Sequence, residues 1–245
     1  MTLSVVYALM FYAAALIFII GVGRKVYIYA KTPQPLKIPT TPAPLTKSGV
    51  VWRMIKEVTV FQSLFRSNKF IWIFGYLFHV GMALVLIRHL RYFMEPVPYI
   101  IGNELVQSAG KYGAFAMAIG LLGLWARRFL VDRVRYITRL SDHLMLALLL
   151  FIAISGMIMT FVSHTDIIDV KAFAMGLLHF DFQALPMVGP TLVHLALVMV
   201  LMVVFPVSKL LHAPGVFFSP TRNQVDDARE HRHVDGWTKS EADKA

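Results

Sequence analysis

Four of the nine histidines in this 245-residue chain stand in stretches that are otherwise apolar. His79 and His89 lie within residues 71–93, IWIFGYLFHVGMALVLIRHLRYF, and His194 and His212 within residues 189–212. An ionisable ring among hydrocarbon is costly unless something pairs with it, so each is a functional candidate. Ten residues of helix separate the first two, about 15 Å, and eighteen separate the second two, about 27 Å. Eighteen residues return to one helix face and ten leave the rings about 80° apart, so both pairs can point to a shared interior. A bend at Pro206 would absorb part of the difference in rise.

Two imidazoles from facing helices, with no carboxylate or thiolate beside them, suit haem iron. That iron takes two axial nitrogens on opposite faces of a flat macrocycle, whereas zinc wants four ligands in a tetrahedron. The macrocycle buries its apolar surface between helices, and its propionates need basic partners near the membrane surface. Arg88 and Arg91 are candidates beside His89, and Arg127, Arg128 or Lys209 at the opposite face. The chain has no Cys, which excludes disulfides, thiolate-held iron–sulfur clusters and covalent haem attachment.

The elements that must position these rings follow from composition. The chain is 57% hydrophobic and 16% charged, where soluble domains carry about 25% charge, and its mean hydropathy is +0.63. Five stretches are long and apolar enough to cross a bilayer: 3–23, 70–93, about 106–125, 144–162 and 187–211. The fold expected is an all-α integral membrane protein, five transmembrane helices in a bundle. The N-terminal stretch lacks the basic start and small-residue cleavage site of a secretory signal and reads as a retained span. Residues 24–69, rich in proline, read as an extended surface loop with a short amphipathic helix over 50–65.

The net charge of +10 reports topology in such a protein, and no nucleic-acid partner is expected. Nine Lys and Arg face one acid, Glu57, in the first connection, and five arginines face Asp132 in the third. The second carries Glu95 and Glu104 between Arg91 and Lys111, and the fourth carries Asp166, Asp169 and Asp181 against Lys171. Basic connections stay in the cytoplasm, which puts the N-terminus outside and the C-terminus inside. Residues 1–218 then form the membrane domain, with 24–69 as a cytoplasmic loop, and 219–245 form a polar cytoplasmic tail. Helices two and five run antiparallel in this scheme, so level pairing joins His89 to His194 near the outer face and His79 to His212 near the inner.

The other histidines have plainer readings. His143 opens the fourth helix next to Ser141 and Asp142, where capping suffices. His164 and His179 read as solvated outer residues, and His231 and His233 as part of a charged tail. Any one buried histidine alone could simply bond a neighbouring helix. Four in a level antiparallel pattern favour a ligand set.

Phe78-His79-Val80-Gly81, then His89, together with Phe205-Pro206-Val207-Ser208-Lys209-Leu210-Leu211-His212, resemble the gamma subunit of respiratory nitrate reductase. The similarity extends through Ile119-Gly120 to Arg127-Arg128. It implies a five-helix dihaem cytochrome b with an outside N-terminus, two haem b held by His79 with His212 and His89 with His194, and quinol oxidation near the outer haem. It also implies a lysine near the start of the third helix at the quinone site, for which Lys111 is the candidate. Within the superfamily, the proline-rich loop and the Arg88-His89 pair are most similar to the membrane cytochrome b of the Dsr sulfur-metabolism complex. That likeness implies a cytoplasmic iron–sulfur partner similar to heterodisulfide reductase, other subunits of a membrane complex, and menaquinone or ubiquinone in a prokaryotic cytoplasmic (inner) membrane. The rival readings are a nitrate reductase or other terminal-enzyme subunit, a proton-coupled carrier, and a passive membrane anchor. The carrier reading lacks the midplane Asp or Glu it would use.

Overall fold

The computed structural model describes residues 2–33 and 39–227. The tail histidines His231 and His233, and the middle of the proline-rich loop, lie outside the described residues. All regular structure among the described residues is helical: α1 (Thr2–Lys31), α2 (Lys47–Val60), α3 (Gln62–Ser67), α4 (Lys69–His89), α5 (Tyr99–Gly102), α6 (Glu104–Leu130), α7 (Asp132–Ile137), α8 (Leu140–Phe161), α9 (Ile167–His179), α10 (Gly189–Val204) and α11 (His212–Gly215). Five of them, α1, α4, α6, α8 and α10 with its 3-10 extension to Val207, are long and apolar enough to span a bilayer.

The chain forms two compact units, Met1–Ile17 with Ser67–Val204, and Phe18–Arg66 with Phe205–Ala245. In the first, α4 and α6 are the most intimate pair. They meet backbone to backbone at glycines: a Cβ on Gly81 would stand 2.6 Å from the Gly113 carbonyl and the Met117 nitrogen, and one on Gly120 would stand 2.6 Å from the Phe78 nitrogen. Small residues let helices approach closely where lipid gives no hydrophobic drive to association. The register, 81 on 113 and 78 on 120, is antiparallel. Antiparallel contacts continue from α6 to α8, where Trp125 meets His143 and Phe115 meets Phe161. They continue from α8 to α10, where Ser155 meets His194 and Thr165 meets Thr191. An up-down order of α4, α6, α8 and α10 therefore brings the C-terminal end of α4 and the N-terminal part of α10 to one end.

The first half of α1 joins this unit through a buried cluster of Ala8, Phe173 and Leu185 ringed by Tyr7, Phe11 and Tyr12. Tyr7 and Tyr12 donate to the carbonyls of Leu192 and Leu177, and the buried Ser4 hydroxyl accepts from Leu185 N–H. The cluster depends on α9, a 13-residue helix in the connection that sequence treats as plain loop. Its length is below a span, so the 20-residue criterion passes over it. Lys171 of α9 pairs with Glu95 after α4.

In the second unit α2 and α3 replace the single helix expected over 50–65; Phe61, in the left-handed region at φ 51, breaks them. Glu57, Ser63 and Arg222 form a linked group, and Thr221 and Asp226 bond the backbone of Thr40 and Pro44. The opening of the tail is thus tied to the first loop. Sequence expects one helix over 187–211, but α10 stops at Val204 and two 3-10 turns lead to His212. Pro206 is the cause, since its ring clashes with the carbonyl four residues back and it brings no N–H. The 27 Å rise of an unbroken helix accordingly does not apply between His194 and His212.

Candidate functional site

His89 is the last residue of α4, and His194 lies one and a half turns into α10. Their rings face each other with centroids 6.4 Å apart and planes inclined by 22°. A metal bond of about 2 Å to one nitrogen of each ring, plus a little over 1 Å from nitrogen to centroid on either side, spans about 6 Å. The separation therefore suits one iron between two imidazoles. Among the described residues no group of three or more His, Cys, Asp or Glu is placed to hold a metal, so a closed tetrahedral site has no donor set there.

Hydrogen bonds define which nitrogen each ring presents. His89 Nδ1 lies 2.7 Å from the Val85 carbonyl and His79 Nδ1 lies 2.7 Å from the Gly75 carbonyl. A carbonyl only accepts, so Nδ1 carries the proton and Nε2 the lone pair. His194 Nδ1 lies 2.9 Å from Ser155 Oγ, whose own hydrogen goes to the Ile152 carbonyl at 3.0 Å. The serine must accept there, and His194 too presents an Nε2 lone pair. His212 Nδ1 lies 3.0 Å from the Lys209 carbonyl, with the same consequence. Anchoring of the far nitrogen fixes tautomer and ring orientation in metal-ligating histidines.

His143 differs. Trp125 Nε1–H, a donor only, points at its Nδ1 from 2.9 Å, so its proton sits on Nε2 and the ring serves to join α6 to α8. His164, at φ 45 just beyond α8, and His179, ending α9, are exposed and bond nearby carbonyls.

The arginines beside His89 suit carboxylates. Nε of Arg88 and Nε of Arg91 are buried without a hydrogen-bond partner, while the Arg91 fork reaches the Tyr92 hydroxyl at 3.1 Å. Two guanidinium donors with nothing to bind are what haem propionates would satisfy. Lys111 places its ammonium 4.8 Å from the Phe161 ring centre, against aromatic rather than imidazole neighbours. At the other end of α6, Arg128 is already engaged by the buried Asp142 at 3.5 Å and by Thr138 at 3.2 Å.

In the second unit His212 lines a cleft of about 790 Å³ together with Lys25, Lys209, Tyr29, Ser208 and Thr32. Two ammoniums and three hydroxyls beside an imidazole also fit a ring with carboxylate arms. His79 belongs to the first unit and His212 to the second, so their pairing rests on spacing and on the resemblance.

Sequence reading passes over Ser155, although a lone hydroxyl inside LMLALLLFIAISGMIM, followed by Gly156, is a visible polar interruption. A Cβ on Gly156 would stand 3.3 Å from His194 Cε1, so the serine and glycine together seat that ring. Gln107, whose buried Oε1 has no partner, is also missed.

Comparison with known proteins bears on this arrangement. The nitrate reductase gamma subunit family matches residues 47–225. The Hdr-like menaquinol oxidoreductase cytochrome b-like subunit of Archaeoglobus fulgidus is 36% identical over 269 aligned residues, covering 92% of this chain and 81% of the relative. The protein of the same description from Archaeoglobus profundus is 32% identical over 280, covering 96% and 83%.

Proposed function

The chain belongs to the nitrate reductase gamma subunit family, and on that premise we propose that it is the cytochrome b-like membrane subunit of a quinol-reacting oxidoreductase related to the Hdr-like systems. His89 and His194 hold one haem b near the outer face, and His79 and His212 hold a second near the cytoplasm. When bound, the haems supply a one-electron path between a membrane quinone and a redox partner at the inner face. The partner is a cytoplasmic iron–sulfur subunit of heterodisulfide-reductase type, within a sulfur-metabolism complex of a prokaryotic cytoplasmic membrane.

The chain's own residues bind, orient and insulate. Val85, Gly75, Ser155 and Lys209 hold each Nδ1 so that Nε2 faces the metal. Arg88 and Arg91 receive the outer carboxylates, while Lys25 and Lys209 receive the inner ones. Apolar helix faces keep water away and lower the dielectric around the charges. Menaquinol or ubiquinol approaches the His89 end, with Lys111 as a candidate to meet it.

The observation that carries this reading is the His89–His194 pair, 6.4 Å between ring centres with both Nδ1 atoms committed elsewhere. The test is a dithionite-reduced minus oxidised spectrum of the purified protein with a pyridine haemochrome count. Two b-type haems per chain are expected in the wild type and one in His89→Ala. Absence of a b-type signal ends the reading, and loss of neither haem in the variant ends the pairing.

A further inference from the structure

Three buried polar atoms without partners belong to the His89 end of the first unit: Nε of Arg88, Nε of Arg91 and Oε1 of Gln107. The antiparallel register of α4 and α6 relates them. Gly113 lies against Gly81 and Leu84, and Gly110 lies against the Leu84 carbonyl and the Arg88 side chain. One turn back along α6, the same face carries Gln107, which the register brings level with the turn of chain holding Arg88 and Arg91. The short helix α5 completes the corner, because the Gln107 amide donates from Nε2 to the Ile101 carbonyl at 2.7 Å.

That last bond decides what Gln107 offers. Turning the amide over would set its oxygen against the Ile101 carbonyl, so Nε2 is held at Ile101 and Oε1 is the buried atom left without a donor. A buried carbonyl without a donor is unfavourable, so a ligand that brings a hydrogen to it is stabilised there. The two arginine Nε–H groups want the opposite, an anionic acceptor. Carboxylates can satisfy the arginines but not the glutamine; a hydroxyl can satisfy the glutamine.

We propose that Gln107 Oε1 accepts a hydrogen bond from a hydroxyl of a dihydroxy-aromatic quinol bound beside His89 and His194, and so makes this site prefer the reduced carrier to the oxidised one. A quinone presents carbonyl oxygens, which cannot donate to Gln107. The site is thereby biased towards taking quinol in and letting quinone go. This inference rests on the haem and quinol reading above and adds to it a residue and a preferred redox state of the ligand.

The experiment follows reduction of the b haems by menadiol, with menadione as competing product, in membranes holding the full complex. Gln107→Leu is expected to raise KM for menadiol about tenfold, the size of one lost hydrogen bond, while menadione inhibition moves by less than about twofold. Both haems should remain in the spectrum. Gln107→Met, an unbranched replacement that also lacks the oxygen, is the second variant should the first assemble poorly. An unchanged KM in a variant holding both haems overturns the proposal, and so does equal weakening of menadiol and menadione. A wild type that holds two b haems but is not reduced by menadiol sinks the quinol reading itself, and this inference with it.

Discussion

The tautomers separate the histidines more sharply than burial does. His194 keeps Nε2 for a metal only while Ser155 Oγ accepts from its Nδ1, and the serine is the acceptor in that pair because its one hydrogen is given to Ile152. Removing that acceptor leaves the imidazole able to rotate, and outer-shell partners of this kind are worth roughly 10- to 100-fold in metal affinity. Ser155→Ala is therefore expected to release the haem of the His194 site on detergent washing at least about tenfold more readily, with the other haem retained. Ser155→Thr, which keeps an acceptor, should behave as wild type. The control is His143→Phe. Its ring receives the Trp125 hydrogen and so presents the wrong nitrogen for ligation, and both haems should remain at full count. Loss of a haem in that variant, or equal retention in Ser155→Ala, would contradict these assignments. Residue types and spacing alone expose the four histidines; the serine hides from them because one hydroxyl in an apolar stretch carries no period.

Helix α4 holds two of the candidate ligands, and its position is set by glycine rather than by bulky packing. At Gly81 even a methyl group would collide with backbone atoms of Gly113 and Met117 at 2.6 Å, and backbone has no rotamer by which to yield. Crowding of this kind typically costs about 1–3 kcal/mol. Gly81→Ala is expected to lower the temperature at which detergent-solubilised protein loses its haems, and Gly81→Leu to prevent accumulation of the haem-loaded form. Met82, the next residue along, serves as a contrast, because Met82→Ala removes bulk without adding any where the backbones meet. Elements of this length are legible from hydropathy, and all five long helices fall where apolar runs of about 20 residues place them. Two features are not. The end of α10 depends on Pro206 overriding an apolar run that continues to Leu211, and α9 is too short to stand out although its Phe173 is among the most buried side chains of the cluster that seats α1.

At the scale of the whole molecule, the proposed orientation comes from charge distribution, which supplies what the helices alone leave open. The up-down order of α4, α6, α8 and α10 fixes only that successive connections alternate between the two faces. The five arginines at 127, 128, 133, 135 and 139 and the basic loop before α4 then put those connections in the cytoplasm by the positive-inside rule. In that orientation the His89–His194 end is outside, where quinol oxidation would release protons. The chain contains no Cys, so a single introduced thiol reports its own side without background. Asp166→Cys, in the exposed turn before α9, should react in intact cells with a membrane-impermeant maleimide. Arg133→Cys, in α7, should react only after the membrane is opened. The reverse pattern would move the quinol site to the cytoplasmic face and leave the basic connections outside. In that case the assignment of outer and inner haems would be exchanged, although the ligand pairs would stand.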